Sequence, residues 1–206
     1  MKVLLDTSVL SHAVRLRRSL EAKTVTWVGR AHEWFAPVLE EKPPTDSWLQ
    51  EQINASSRIA NLASSGRVEL FVGAELEFEL WAGPPDALRR TRLSLLEGVT
   101  LERAPDPLQY GRIVASHADR GHDAKERWPE FLGGIADERL TELRNCLGGN
   151  KDADAFHLLT AERAKLDVFL TNDKRLINAV RHSKELDTTV RVLSPTELLD
   201  DFDRAV

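Results

Sequence analysis

The chain has 206 residues, 42% of them hydrophobic and 30% charged, and its 28 basic and 33 acidic residues give a formal net charge of −5. This composition is typical of an ordinary globular protein, and the acidic balance excludes one that holds nucleic acid by bulk positive charge. A single cysteine, Cys146, and the lack of any apolar run near the roughly 18 residues of a membrane span favour a cytoplasmic protein that does not enter a membrane.

Four short apolar runs have the character of buried strands. They are rich in Val, Leu and Phe and lack the alternation of a strand with one solvated face, which is typical of parallel sheets covered on both sides. In chain order the predicted strands are Lys2–Leu5, Val68–Val72, Val168–Leu170 and Val190–Leu193.

Helices are predicted between these strands. Asp46 is placed to cap a helix that ends before Gly66, and Ser194-Pro195-Thr196-Glu197 has the pattern of a capping box. In chain order the predicted helices are Val9–Leu20, Ser47–Ser65, Ala74–Trp81, Asp86–Glu97, one from Asp106-Pro107 to about Arg120, one with Leu132, Ala136, Leu140, Leu143 and Leu147 on one face, Ala153–Lys165, and a last one that the capping box begins.

Strands that alternate with helices predict an α/β fold, with a central, mainly parallel sheet flanked by helices. A chain of this length is within the range of one large domain. We therefore expect a single domain over 1–206.

Two of the predicted strands end at a carboxylate that lies near a hydroxyl side chain. Asp6 directly follows the first strand, and Asp173 follows Thr171 and Asn172 after the strand that ends at Leu170. Because the carboxyl ends of parallel strands meet at one edge of a sheet, Asp6 and Asp173 are expected at the same edge.

Two further acids are expected at this edge. Helix Ala153–Lys165 returns through a short turn to the strand at Val168, so its N-terminus, with Asp154, lies over the same edge. The helix after the strand Val68–Val72 begins there too and carries Glu79 in its first turns, with Glu75 as an alternative one turn earlier. Taken singly, each acid could also be an ordinary helix cap, turn residue or solvated side chain.

Four carboxylates in one place need a positive charge or protons. Unit charges about 4 Å apart repel by ~1 kcal/mol in water and by ~4 kcal/mol at an effective dielectric constant of about 20. No lysine or histidine has a spacing that supplies a fixed counter-charge inside all four positions. Oxygen ligands without cysteine or paired histidine favour Mg²⁺ or Mn²⁺ over zinc.

Short blocks along the whole chain resemble, in the right order, those of PIN-domain nucleases. The blocks are Asp6-Thr7-Ser8, residues 73–80 with Glu79 at the acidic position, residues 154–161, residues 168–176, and the ending Val192-Leu193-Ser194-Pro195. The resemblance implies a PIN-like α/β sandwich and metal-dependent ribonuclease activity, as in the VapC-like toxins of type II toxin–antitoxin pairs.

On this interpretation the four acids, Asp6, Glu79, Asp154 and Asp173, hold one or two Mg²⁺ or Mn²⁺ ions. The metal would lower the pKa of a bound water, orient it on the scissile phosphate and stabilise the leaving oxygen. Neighbouring side chains that could orient the carboxylates or the water are Thr7, Ser8, Thr171 and Asn172, and those that could contact phosphates are Lys174 and Arg175.

The chain is longer than the simple toxins of that family, with extra material, predicted to be helical, at about 23–67 and 121–150. The expected partners are an RNA substrate and, by the resemblance, an antitoxin protein and a second copy of the chain. The alternative function is a catalytically silent PIN-like scaffold that binds RNA or protein. A haloacid-dehalogenase-type phosphatase would need a second Asp two residues after Asp6, where this chain has Ser8.

Overall fold

The structure is a computed structural model, and it describes residues 1–12, 16–27, 30–41, 45–73, 76, 98–108, 131–148, 151–183 and 185–204. A five-stranded, all-parallel sheet forms its centre, in the order β5-β4-β1-β6-β7. Its strands are β1 (Lys2–Leu5), β4 (Glu69–Val72), β5 (Leu101–Arg103), β6 (Val168–Leu170) and β7 (Arg191–Leu193).

The winding of the sheet reverses at its middle strand. Leu4 of β1 lies opposite Phe71 of β4 on one side and Phe169 of β6 on the other. The chain passes outward from β1 to β4 and β5, then returns to β6 and continues to β7. The reversal therefore falls between β1 and β6, and in open parallel sheets ligands bind in the crevice at the carboxyl ends of such strands.

All four predicted strands are present. β1 and β6 have the predicted bounds, and β4 and β7 begin one residue later than predicted. The predicted α/β fold with a parallel central sheet is confirmed. The sequence missed β5, because Glu102 and Arg103 are exposed and leave no apolar run to mark this short edge strand.

Helices flank the sheet, and two of them, α2 and α6, begin at the predicted caps. Asp46 accepts a hydrogen bond from the backbone N of Trp48 at 2.9 Å, and the backbone N of Ser194 donates to Glu197 Oε2 at 2.9 Å. The helices are α1 (Thr7–His12), α2 (Ser47–Ser64), α3 (Glu138–Leu147), α4 (Asp152–Arg163), α5 (Lys174–His182) and α6 (Pro195–Arg204). In the described ranges no helix is both long and apolar enough to cross a membrane.

The sheet separates two apolar cores. Leu4 belongs to one of them, together with Phe169 and residues of α3, α4 and α5. Its neighbours Val3 and Leu5 belong to the other, together with residues of α1, α2 and α6. Since successive side chains of a strand point to opposite faces, the three apolar residues of β1 that follow Lys2 contribute to both cores.

A β-hairpin replaces predicted helix near the N-terminus. β2 (Leu16–Trp27) pairs antiparallel with β3 (Arg30–Glu41), from Leu16 opposite Glu41 to Trp27 opposite Arg30. The predicted helix Val9–Leu20 is therefore wrong for residues 16–20, which belong to β2, while residues 13–15 lie outside the described residues. The insertion at about 23–67 was predicted to be helical, and of its described residues only those of α2 are.

The reason for this error lies in the residues of β2. Thr24, Val25, Thr26 and Trp27 are β-branched or aromatic and favour a strand. A hairpin is stabilised by cross-strand pairs, which local helical spacing does not reveal.

The predicted helices Ala74–Trp81 and Asp86–Glu97, apart from Leu76, lie outside the described residues, as does the predicted helix after Leu108. The second insertion, at about 121–150, contains the helix α3, as predicted. This helix begins later than the spacing of Leu132 and Ala136 with the later leucines predicted, because Asp137 caps it by accepting from the backbone N of Leu140 at 2.9 Å. Ala136 therefore precedes the helix and is exposed. The single-domain organisation stays a prediction.

Candidate metal centre

The carboxyl edge of the sheet gathers three of the four predicted acids. Asp6 directly follows β1, and its backbone N donates to Leu170 O at the end of β6 at 3.0 Å. Asp173 follows β6 and caps α5. Asp154 lies in the first turn of α4, the helix that leads into β6. The fourth acid, Glu79, lies outside the described residues, as does its alternative, Glu75.

Two hydroxyl groups fix the carboxylate of Asp6, which is only 8% exposed. Ser8 Oγ and Thr171 Oγ1 both donate to Asp6 Oδ2, the latter at 2.7 Å. Thr171 Oγ1 in turn accepts from the backbone N of Asp173 at 2.9 Å. The hydroxyl side chains therefore connect Asp6 to Asp173 across the crevice between β1 and β6. Thr7, at the start of α1, is half-buried beside them.

Asn172 presents an acceptor without a partner. Its backbone N donates to Ser8 Oγ at 3.0 Å, and its Nδ2 donates to Ser8 O at 3.3 Å. Its Oδ1 is buried and has no hydrogen-bond partner among the described residues. A buried acceptor without a hydrogen bond costs free energy. An amide oxygen can bind a hard cation directly or accept a hydrogen bond from a water that the cation holds.

A lysine stands between two of the acids. Lys151 Nζ lies 2.8 Å from Asp154 Oδ2 and 3.0 Å from Asp173 Oδ2. Lys151 therefore supplies a counter-charge to two of the four predicted acids, a contact that was not predicted from the sequence. The nearby Asp152 is not part of this arrangement, because it is ion-paired with Arg144 at 2.8 Å.

The acids differ in how readily they ionise. Burial raises the pKa of Asp154, the hydrogen bond and charge of Lys151 oppose this, and the negative charge of Asp6 adds to it, so that the pKa is above its ordinary value. Burial also acts to raise the pKa of Asp173. There the hydrogen bonds from Lys151 and from the backbone N of Leu176 and Arg175 outweigh it, and the pKa is lowered. Ionised Asp154 is therefore unfavourable in the folded protein, whereas ionised Asp173 is favourable.

These shifts predict opposite effects of two matched substitutions. Because the pKa of Asp154 is raised in the folded protein, its protonated form stabilises the fold at pH values below the unfolded pKa, and this stability is lost as the pH rises through the folded pKa. Asp154→Asn cannot ionise, so it should raise the Tm at pH 7. The lowered pKa of Asp173 gives stability present above its unfolded pKa and lost as the pH falls through the folded pKa, so Asp173→Asn should lower the Tm. Differential scanning fluorimetry in EDTA measures both, and a lower Tm for Asp154→Asn would contradict the assignment.

Basic and aromatic side chains lie next to the acids. Lys174 Nζ is 4.2 Å from the ring centroid of Trp48 and 4.0 Å from Asp46 Oδ2. Arg175, in the first turn of α5, is exposed. The sequence did not indicate the contact between Lys174 and Trp48, since it depends on how the N-termini of α2 and α5 meet. His157, one turn after Asp154, is buried, with its ring 5.9 Å from that of Phe169.

The donor types at this edge suit a hard divalent cation, because Mg²⁺ and Mn²⁺ bind carboxylate and amide oxygens. In the described part of the chain, however, no three or more His, Cys, Asp and Glu side chains form a group that could hold a metal ion. Lys151 forms ion pairs with one oxygen of Asp154 and one of Asp173.

Comparison with known proteins identifies no relative of this chain. No family model matches it, and neither the curated proteins nor the solved structures contain a match. The function is therefore argued from the geometry at the carboxyl edge of the sheet.

Proposed function

We propose that the protein is a metal-dependent endoribonuclease with a PIN-like fold, which hydrolyses phosphodiester bonds of RNA with Mg²⁺ or Mn²⁺. The observation that carries this proposal is the convergence of Asp6, Asp154 and Asp173, from distant parts of the chain, at the point where the winding of the sheet reverses. Glu79 completes the proposed ligand set.

The described residues have distinct parts in this chemistry. Ser8 and Thr171 hold the carboxylate of Asp6 in one orientation, so that little ordering remains to be done when a ligand binds. Burial raises the pKa of Asp154, and a cation beside this carboxylate would favour its ionised form. Asn172 Oδ1 offers an acceptor that could orient a water. The metal, when bound, supplies an activated water and positive charge for the leaving oxygen, so no nucleophilic side chain is needed.

RNA as the substrate is supported by the side chains around the acids. Lys174 and Arg175 are placed to contact phosphates, and the aromatic ring of Trp48 lies beside Lys174. A net charge of −5 is compatible with an RNA substrate, because a bound divalent metal inverts the local charge. The proposed setting is that of a cytoplasmic toxin of a type II toxin–antitoxin pair, with an antitoxin protein as partner and a homodimer as the assembly.

A second candidate is a PIN-like scaffold that binds RNA or protein without cutting it. The observation that favours it is that Lys151 already forms ion pairs with both Asp154 and Asp173. A scaffold of this kind would have no use for a metal.

Addition of Mn²⁺ distinguishes the two candidates. An ion that binds only the folded state at about 100 times its Kd stabilises it by about 2.7 kcal/mol, which for a chain of this size raises the Tm by about 5–10 °C. We expect this shift in fluorimetry, together with cleavage of an end-labelled single-stranded RNA that stops when EDTA is added.

The control is the same assay in EDTA with NaCl at matched ionic strength, where neither effect is expected. A Tm shift without cleavage would contradict the nuclease activity, and only the absence of both effects would favour the scaffold. Absence of both effects would contradict the nuclease proposal.

A further inference from the structure

We propose that Lys151 acts as a built-in cation, which offsets part of the negative charge of the acid site when no metal is bound and which a divalent metal ion must displace in order to bind. This inference rests on the proposed metal-dependent function. Lys151 is then a positioning residue that sets the affinity of the site for its metal.

The contacts of Lys151 are those that a metal at this site would need. Its Nζ binds Oδ2 of Asp154 and Oδ2 of Asp173, which come from α4 and from the end of β6. A second cation on the same two oxygens would touch the ammonium group, and like charges at that distance repel strongly inside a protein. The ammonium and the metal therefore exclude one another.

The position of Lys151 allows it to leave without damage to the fold. Lys151 is the N-cap residue of α4, yet its side chain makes no capping hydrogen bond, so the helix does not depend on it. The side chain is 24% exposed and is therefore in contact with solvent. A flexible four-carbon stem can move the ammonium into water, so that only the two ion pairs are broken.

The acids, in contrast, cannot follow. Asp173 is held by hydrogen bonds from the backbone N of Arg175 and Leu176 at 2.7 and 3.2 Å, and the backbone of Asp154 belongs to the first turn of α4, from which its short side chain has little reach. Departure of Lys151 would leave both carboxylates in place and uncompensated. A divalent ion supplies more charge than the ammonium it replaces, whereas a monovalent ion does not.

Lys151→Met tests this inference, with Lys165→Met as the matched control. Lys165 is exposed and follows the opposite end of α4, so its replacement removes the same charge away from the acids. We expect Lys151→Met to bind Mn²⁺ at least about tenfold more tightly than the unmodified chain, equivalent to about 1.4 kcal/mol. Lys165→Met should bind with unchanged affinity. Electron paramagnetic resonance of free Mn²⁺ measures both Kd values.

A Kd for Lys151→Met that is equal to or weaker than that of the unmodified chain would overturn the inference alone. If neither the unmodified chain nor the variants bind Mn²⁺, the proposed metal-dependent function fails, and this inference fails with it.

A second measurement uses the unmodified chain and does not depend on the folding of a variant. The protein is treated briefly with an acetylating reagent in EDTA or in Mn²⁺, and mass spectrometry measures the extent of acetylation at each lysine. We expect faster acetylation of Lys151 in Mn²⁺ than in EDTA, with Lys165 unchanged. Equal acetylation of Lys151 in both conditions, in protein that binds Mn²⁺, would overturn the inference.

Discussion

Asp6→Asn is expected to lower Mn²⁺-dependent RNA cleavage by about 1000-fold or more while leaving the fold intact. The substitution removes one negative charge of the acid site, and a catalytic metal is worth several kcal/mol of transition-state stabilisation. The amide still offers an oxygen to the hydroxyls of Ser8 and Thr171, so the hydrogen bonds that fix residue 6 can persist. Initial rates on a labelled single-stranded RNA, with circular dichroism of the same samples, measure the effect.

Asp167→Asn is the matched control. Asp167 lies at the opposite, amino end of β6, where its Oδ2 accepts from the backbone N of Lys2 at 2.7 Å. This variant loses the same charge far from the acid site and should keep its activity. A catalytic metal is worth several kcal/mol. A cleavage rate of Asp6→Asn within about tenfold of the rate of Asp167→Asn would therefore exclude Asp6 from the reaction.

Phe169→Ala is expected to lower the free energy of unfolding by about 3–5 kcal/mol, which is the usual cost of truncating a buried Phe. Phe169 is fully buried in the middle of β6, opposite Leu4 of β1 and Val192 of β7. Its ring fills the core beneath α4, so truncation leaves a cavity that the neighbouring strands cannot close. Urea denaturation followed by circular dichroism gives the value.

Phe131→Ala removes the same ring from a position that is 38% exposed. We expect it to cost less than about 1 kcal/mol, because surface substitutions rarely cost more. A similar loss of stability in both variants would show that β6 does not lie at the centre of the fold.

The elements that could be predicted from the sequence are those with a local signal. β6, and β1 after Lys2, are short apolar runs that end at polar residues. Asp46 and the Ser194–Glu197 pair mark the starts of α2 and α6. The β2–β3 hairpin depends on cross-strand pairs between residues as distant as Leu16 and Glu41, and no local spacing records such a pairing.

In the site, too, the residues with a local signal could be predicted and the contacts between distant elements could not. Asp6 and Asp173 followed from the rule that parallel strands share a carboxyl edge, and Asp154 followed from the direction of the helix before β6. Lys151 was not predicted. Its spacing from Asp154 is readable as i to i+3, but its contact with Asp173 depends on how α4 meets the end of β6.

The proposals depend on the ability of Asp6, Asp154 and Asp173 to bind a divalent ion together. Isothermal titration calorimetry of EDTA-treated protein with Mn²⁺ measures this binding for the unmodified chain, for Asp6→Asn and for Asp167→Asn. We predict saturable binding by the unmodified chain and by Asp167→Asn, and a Kd at least about 100-fold weaker for Asp6→Asn, equivalent to about 2.8 kcal/mol. Equal affinity for all three proteins, or no saturable binding by the unmodified chain, would contradict a metal centre at this edge of the sheet.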